Sequence, residues 1–210
     1  ALKNDNMLWR MHAQRLLIER GQQDVLQDLF EIIENQKTDE VGLNSPAVHA
    51  LWTVHGLNAL DGNHHKALQI AQEALTHPAA GVRKTAIQVL PKNKAIFGKM
   101  IAANSFNDPV GQVRLTSLRA LCEINPHDQI GSLLYKLNQD TNFTNDQWLA
   151  PALYVAMVKN SNSLIKHLHA KAPSLLDSLP NSEKDAVHWE NPNLNISDWK
   201  NYQIPGYWEE

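Results

Sequence analysis

Apolar residues recur along this chain at intervals of three and four, in short blocks separated by Gly, Pro, Asn and Asp. The first block sets Leu8, Met11 and Leu16 with the small Ala13 on one stripe, behind the cap residues Asn4, Asp5 and Asn6, and Gly21 closes it. A second stripe of Val25, Leu26, Leu29, Phe30, Ile32 and Ile33 follows, with Gln, Asp and Glu on the opposite face. After a polar stretch at residues 35–44, Ser45-Pro46 supplies a cap and first turn for a helix carrying Ala50-Leu51-Trp52. Asp61-Gly62-Asn63 turns the chain into a helix lined by Ala67, Leu68, Ala71, Ala74 and Leu75, which Pro78 closes. A third pair starts near Ala80, turns at Pro91-Lys92-Asn93 and continues through Ile96, Phe97, Met100 and Ile101. The fourth runs from Asp108-Pro109 through Asn125-Pro126 to Ile130, Leu133, Leu134 and Leu137. The fifth, at residues 145–170, carries Trp148, Leu149, Leu153 and Met157, then Leu164, Ile165 and Leu168. The pattern predicts an all-α protein of ten helices in five hairpins.

One phrase recurs in the first helices of these pairs. It reads Trp9-Arg10-Met11-His12-Ala13, Val48-His49-Ala50-Leu51-Trp52, Val82-Arg83-Lys84-Thr85-Ala86 and Val113-Arg114-Leu115-Thr116-Ser117. Its second residue falls at positions 10, 49, 83 and 114, in steps of 39, 34 and 31. Periods of about 30 to 47 residues mark stacked helical hairpins, so the expected architecture is a right-handed α-solenoid over residues 1–180. Beyond Pro173, Leu175, Leu176 and Leu179 predict one short capping helix. Helical periodicity then stops. Residues 181–210 form an irregular tail that holds Trp189, Trp199 and Trp208, half of the six tryptophans. So aromatic a segment is expected to pack on the solenoid or lead into a further domain rather than act as a linker.

Charge narrows the possible partners. A formal net charge of −3 with dispersed Lys and Arg gives no electrostatic basis for nucleic-acid binding, and no apolar run is long enough to span a membrane. The single Cys122 sits among apolar helical residues and reads as a small core hydrophobe.

The repeated phrase resembles the HEAT repeat, within the wider armadillo-like class. In that family an Asp near the start of the first helix and an Arg some residues later form a ladder between hairpins. The resemblance implies that Asp5 with Arg10, and Asp108 with Arg114, serve in such a ladder. His49 departs from it and Arg83 lacks the Asp. Residues 1–125, through Trp9-Arg10-Met11-His12-Ala13-Gln14-Arg15-Leu16-Leu17 and His49-Ala50-Leu51-Trp52-Thr53-Val54-His55-Gly56-Leu57, also resemble the helical-repeat region of large bacterial membrane-bound-dehydrogenase-like proteins. Those join a sugar-dehydrogenase-like propeller, a HEAT-like array and a c-type haem module carrying CxxCH. The resemblance implies a segment of a larger exported protein, periplasmic or extracellular, and places no dehydrogenase chemistry on any residue of this chain. Trp199-Lys200-Asn201-Tyr202-Gln203-Ile204-Pro205-Gly206-Tyr207-Trp208 resembles the entry strand of galactose-binding-like β-sandwiches, which implies carbohydrate binding as an alternative role for the tail.

The side chains themselves offer little chemistry. His64-His65 and His167-x-His169 lack the helical spacing and the Cys or carboxylate partners of a metal site. No nucleophile elbow or Gly-rich phosphate loop occurs. His12, His49 and His55 can meet across the first two hairpins, where hydrogen bonding between repeats outweighs metal or haem ligation. Trp9 and Trp52 are expected in the core between repeats. The expected role is a non-catalytic scaffold without cofactor, whose partners are neighbouring domains or another protein; the alternative that the resemblance implies is an accessory domain of a sugar dehydrogenase with a c-type haem module elsewhere in the parent. His12, His49, His55, Trp189, Trp199 and Trp208 are its candidate contact residues.

Overall fold

The computed structural model describes residues 1–62 and 64–171; the expected capping helix and the aromatic tail lie outside them. Among the described residues the chain is helical, with no strand. The helices are α1 (Met7–Arg20), α2 (Leu26–Glu34), α3 (Ser45–Gly56), α4 (His65–Glu73), α5 (Ala80–Val89) and α6 (Lys94–Ala102). They continue with α7 (Gly111–Leu121), α8 (Asp128–Leu137), α9 (Thr141–Thr144), α10 (Leu149–Lys159) and α11 (Ser161–Lys171). Eleven helices stand where the pattern predicted ten: α9 is a four-residue turn around the buried Phe143, too short to show a period. Residues Ala1–Leu168 form one compact unit.

Asn6 and Gly21 cap α1 as expected, whereas α3 takes Asn44 rather than Ser45 as its N-cap. Asn6, Asn44 and Asn93 each accept a backbone N–H of the first turn, of Leu8, Ala47 and Ile96 respectively. Gly21 ends α1 in the left-handed region at φ 69°, where its N–H reaches the carbonyls of Leu17 and Ile18.

Packing follows the first helices. α1 packs on α3, α3 on α5, α5 on α7, and α7 on α10, while α2 lies against α3 and α4. Alanines make the approach close: Ala47, Ala50, Ala86 and Ala156 are completely buried, so these backbones meet without intervening side chains. The buried hydroxyls Thr53, Thr85 and Ser117 donate to carbonyls one turn back, which satisfies them inside an apolar interface. Phe30, Leu51, Leu75, Ile87, Met100, Leu118, Leu121, Ile130 and Leu134 fill the space between the two rows.

α1 departs from expectation. None of its residues is buried, and Trp9, expected in the core, is 60% exposed along with Met7, Leu8, Met11 and Leu16. α1 packs chiefly on α3, so Ala13 and Leu17 reach the core while most of its apolar stripe faces outward. Ile18 rests over Gly56 of α3, where an added Cβ would lie 2.5 Å from Ile18 Cδ1.

A close backbone approach joins α8 to α11 at Gly131. A Cβ at Gly131 would fall 2.1 Å from the carbonyl oxygen of Ser163, a backbone atom that cannot rotate aside. Gly98, within α6, has no neighbour within 4 Å of such a Cβ. Gly131→Ala is therefore expected to lower stability by about 3 kcal/mol through overpacking, and Gly98→Ala to raise it by about 0.5–1 kcal/mol through helix propensity. Urea denaturation of both variants measures the two opposite signs.

Candidate partner surface and the arginine junctions

The outward faces of α1 and α3 enclose a groove of about 760 Å³. Met7, Leu8, Met11, Val48 and Trp52 make it mainly apolar, and His12, Arg15 and His49 stand along it. Trp52 is partly buried against the core, as a residue of the helix interface should be. The structure thus brings together two of the three histidines expected at a contact surface. The third, His55, lines a different cavity with Asp61 and Lys92 and packs edge-on to Trp52 at 5.7 Å. His12 lies 6.4 Å from the exposed ring of Trp9. Trp189, Trp199 and Trp208 fall outside the described residues.

His49 Nδ1 bonds to Gln14 Oε1 at 2.7 Å, linking α3 to α1. Because the amide oxygen is an acceptor, Nδ1 carries the proton. Burial and then the nearby Arg10 charge hold His49 below the ordinary imidazole pKa. This bond joins two first helices, and among the described residues no group of three His, Cys, Asp or Glu converges to hold a metal ion. No described helix is long and apolar enough to cross a membrane.

The pairs expected from the resemblance, Asp5 with Arg10 and Asp108 with Arg114, are not made through the carboxylates. Arg10 does not pair with the Asp5 carboxylate; its Nη1 donates to the backbone carbonyls of Asn4 and Asp5, both at 2.7 Å. Arg114 likewise takes the carbonyls of Asp108 at 2.8 Å and Pro109 at 3.4 Å. Arg83 takes those of His77 and Pro78, both at 2.8 Å. In each case an arginine reaches back six and five residues and ties down the turn that enters its own helix. The residue at the start of that turn also accepts the N–H two positions on: Asn4 from Asn6, His77 from Ala79, and Asp108 from Val110. The Asp108 carboxylate pairs with the preceding hairpin, where Arg83 Nε meets Oδ2 at 2.6 Å and Nη2 meets Oδ1 at 2.9 Å. Arg83, expected to lack a partner, holds the one buried ion pair found among the described residues, with side chains 13% and 6% exposed.

His77 was missed in the sequence, although its signal is there. His77-Pro78 stands six and five residues before Arg83 just as Asp108-Pro109 stands before Arg114. Its buried ring accepts from the N–H of Ala79 at Nδ1 and donates from Nε2 to the carbonyl of Asn35, which defines a neutral tautomer. Burial lowers its pKa; the bond to Asn35 opposes this, and Arg83 adds to the lowering. His127 is lowered as well, first by burial and then by Lys94; both of its ring nitrogens are buried without a partner, edge-on to Phe97 at 4.9 Å.

A second exposed apolar region lies on α10, where Trp148, Tyr154, Val155 and Val158 face solvent. Trp148, Val110 and Leu115 line a cavity of about 590 Å³ between α7 and α10. The sequence placed Trp148 and Leu149 on one apolar stripe; Leu149 is buried and Trp148 is not. Comparison of this chain with protein-family models, curated proteins and solved structures gives no match.

Three depressed imidazoles set the acid response. Each binds its proton more weakly in the folded chain than in the unfolded one, so their contribution is complete above about pH 6.5, the ordinary imidazole value. It is lost as pH falls from there toward the folded pKa values. The urea midpoint is expected to hold steady above neutrality and to fall as the pH is lowered below about 6.5, with a shallower fall in His77→Asn. Separately, Asp108→Ala leaves the Arg83 guanidinium buried and unpaired and is expected to cost about 3–5 kcal/mol, read from the same midpoint at pH 7.

Proposed function

We propose that this chain is a non-catalytic scaffold: a right-handed solenoid of five HEAT-like hairpins that docks a neighbouring domain or protein partner within a larger, exported bacterial protein. The observation that carries this reading is the groove between α1 and α3. Met7, Leu8, Trp9 and Met11 leave a helical stripe of apolar surface in solvent, and Trp52 and Val48 extend it across the next helix. Contiguous exposed apolar surface is unusual on a protein without a partner, and Met and Trp are enriched where partners bind. The succession of contacts from α1 to α3, α5, α7 and α10 supports the solenoid, since each hairpin touches chiefly its neighbours.

The test places a photo-crosslinking amino acid at Met11 of the protein in its source cells, and for comparison at the exposed Gln69. A discrete adduct at Met11, absent at Gln69 and lost in Leu8→Glu, is the expected result. Leu8 is exposed, so Leu8→Glu should change stability by no more than about 0.5 kcal/mol. Equal adduct patterns at both positions would count against a docking role for the groove.

A further inference from the structure

The first helices α5, α7 and α10 carry Arg83, Lys84, Arg114, Arg119 and Lys159 and no Asp or Glu, in a chain whose formal net charge is −3. Arg83 and Arg114 are committed to their entry turns. Lys84 and Arg119 are not. Lys84 Nζ meets the neutral amide of Gln112 at 3.4 Å, and the exposed Arg119 has no acceptor among the described residues. Neither is paired with a described carboxylate.

Both cations line the cavity of about 590 Å³ between α7 and α10, over an apolar wall of Val110, Leu115 and Trp148. The acid of that wall, Asp146, is turned to its own chain, where Oδ1 accepts the N–H groups of Trp148 and Leu149 at 2.8 and 2.9 Å. With two cations against one acid, the wall keeps a positive charge. The turn that Asp146 holds is the one from which the Trp148 ring projects, 68% exposed. An exposed indole beside an unpaired guanidinium is the composition of a binding hot spot, where Trp and Arg are enriched.

We propose that this cavity binds an acidic segment of a protein partner, with an apolar side chain packed on Trp148 and Leu115 and flanking Asp or Glu residues meeting Lys84 and Arg119. Small-molecule sites enclose most of their ligand, whereas here Trp148, Gln112 and Arg119 all stand open to solvent. Nucleic-acid affinity scales with the number of phosphates neutralised, and two cations over an apolar floor offer no track for a phosphate backbone. A polypeptide laid across the trough covers the indole and brings charge of the missing sign. The surface belongs to other helices than the groove between α1 and α3, so it is a second docking site and stands independently of the first.

The test selects binders to the native chain from a random peptide library, then measures the affinity of the selected peptide by fluorescence anisotropy. The expected consensus has Asp or Glu flanking Trp, Phe or Leu. Affinity should fall about tenfold or more in Trp148→Ala and in Arg119→Glu, and hold in Leu8→Glu. Replacing the acids of the peptide by Lys should reverse the preference, favouring the double variant Lys84→Glu, Arg119→Glu over the native chain. Trp148 and Arg119 are exposed, so an unchanged urea midpoint in each variant separates loss of binding from loss of fold. Failure to select any binder, a basic or uncharged consensus, or full affinity in both Trp148→Ala and Arg119→Glu overturns the proposal. So does a single-stranded oligonucleotide that binds as tightly as the peptide. Loss of binding in Leu8→Glu but not in Trp148→Ala places the peptide between α1 and α3, which overturns this site and leaves the scaffold reading standing.

Discussion

A first helix in this chain is pressed on two sides by other first helices, and that demand decides most of what its sequence can be. α3, α5 and α7 each lie between two such neighbours, and α3 also covers α2 while α5 covers α4. Three contact faces leave little room for large side chains, so alanine occupies the points of closest approach, and serine and threonine are admitted only because they can bond back to their own helix. The second helices have fewer neighbours to satisfy. α2 and α8 keep a single rich apolar face of Leu, Ile and Phe and leave the other face to charge.

Burying Arg83 and Asp108 between hairpins fits this logic. A buried ion pair adds little net stability once desolvation is counted. Its value here is directional. Apolar stripes can slide along one another at small cost, whereas two parallel N–H···O bonds permit one offset between α5 and the turn entering α7. The arginine that makes this contact also fixes its own entry turn, so one side chain ties three segments: the turn before its helix, the helix, and the start of the next pair.

Much of this was legible in the sequence, and its failures have specific physical causes. The repeated phrase located α1, α3, α5 and α7 because the arginine or histidine, the small residue and the apolar pair sit at a helical spacing that packing between first helices requires. The arginines of the phrase proved structural, but not through the Asp partners expected for Arg10 and Arg114. Asp108 and Arg114 are near in sequence, which suggests that they pair, yet the guanidinium spans six residues of its own chain to reach carbonyls and leaves the carboxylate to the preceding hairpin. Leu8, Met11 and Trp9 were expected inside because periodicity reports that a face is apolar and cannot report whether another helix covers it. Trp148 illustrates the same limit within one residue of the buried Leu149. The groove at α1 was invisible for a related reason: it is defined by what α1 and α3 leave between them, a relation that neither segment encodes alone.

The junctions along the first-helix row are unequal. The step from α5 to α7 is clamped by a buried bidentate pair, the step from α1 to α3 by a glutamine bonded to a neutral histidine, and Arg114 leans over the ring of Phe143 without a buried ion pair of its own. Resistance to shear is therefore concentrated near the middle of the row. Sliding α5 against the turn that enters α7 would break two charged hydrogen bonds, whereas sliding α1 against α3 would break one neutral bond.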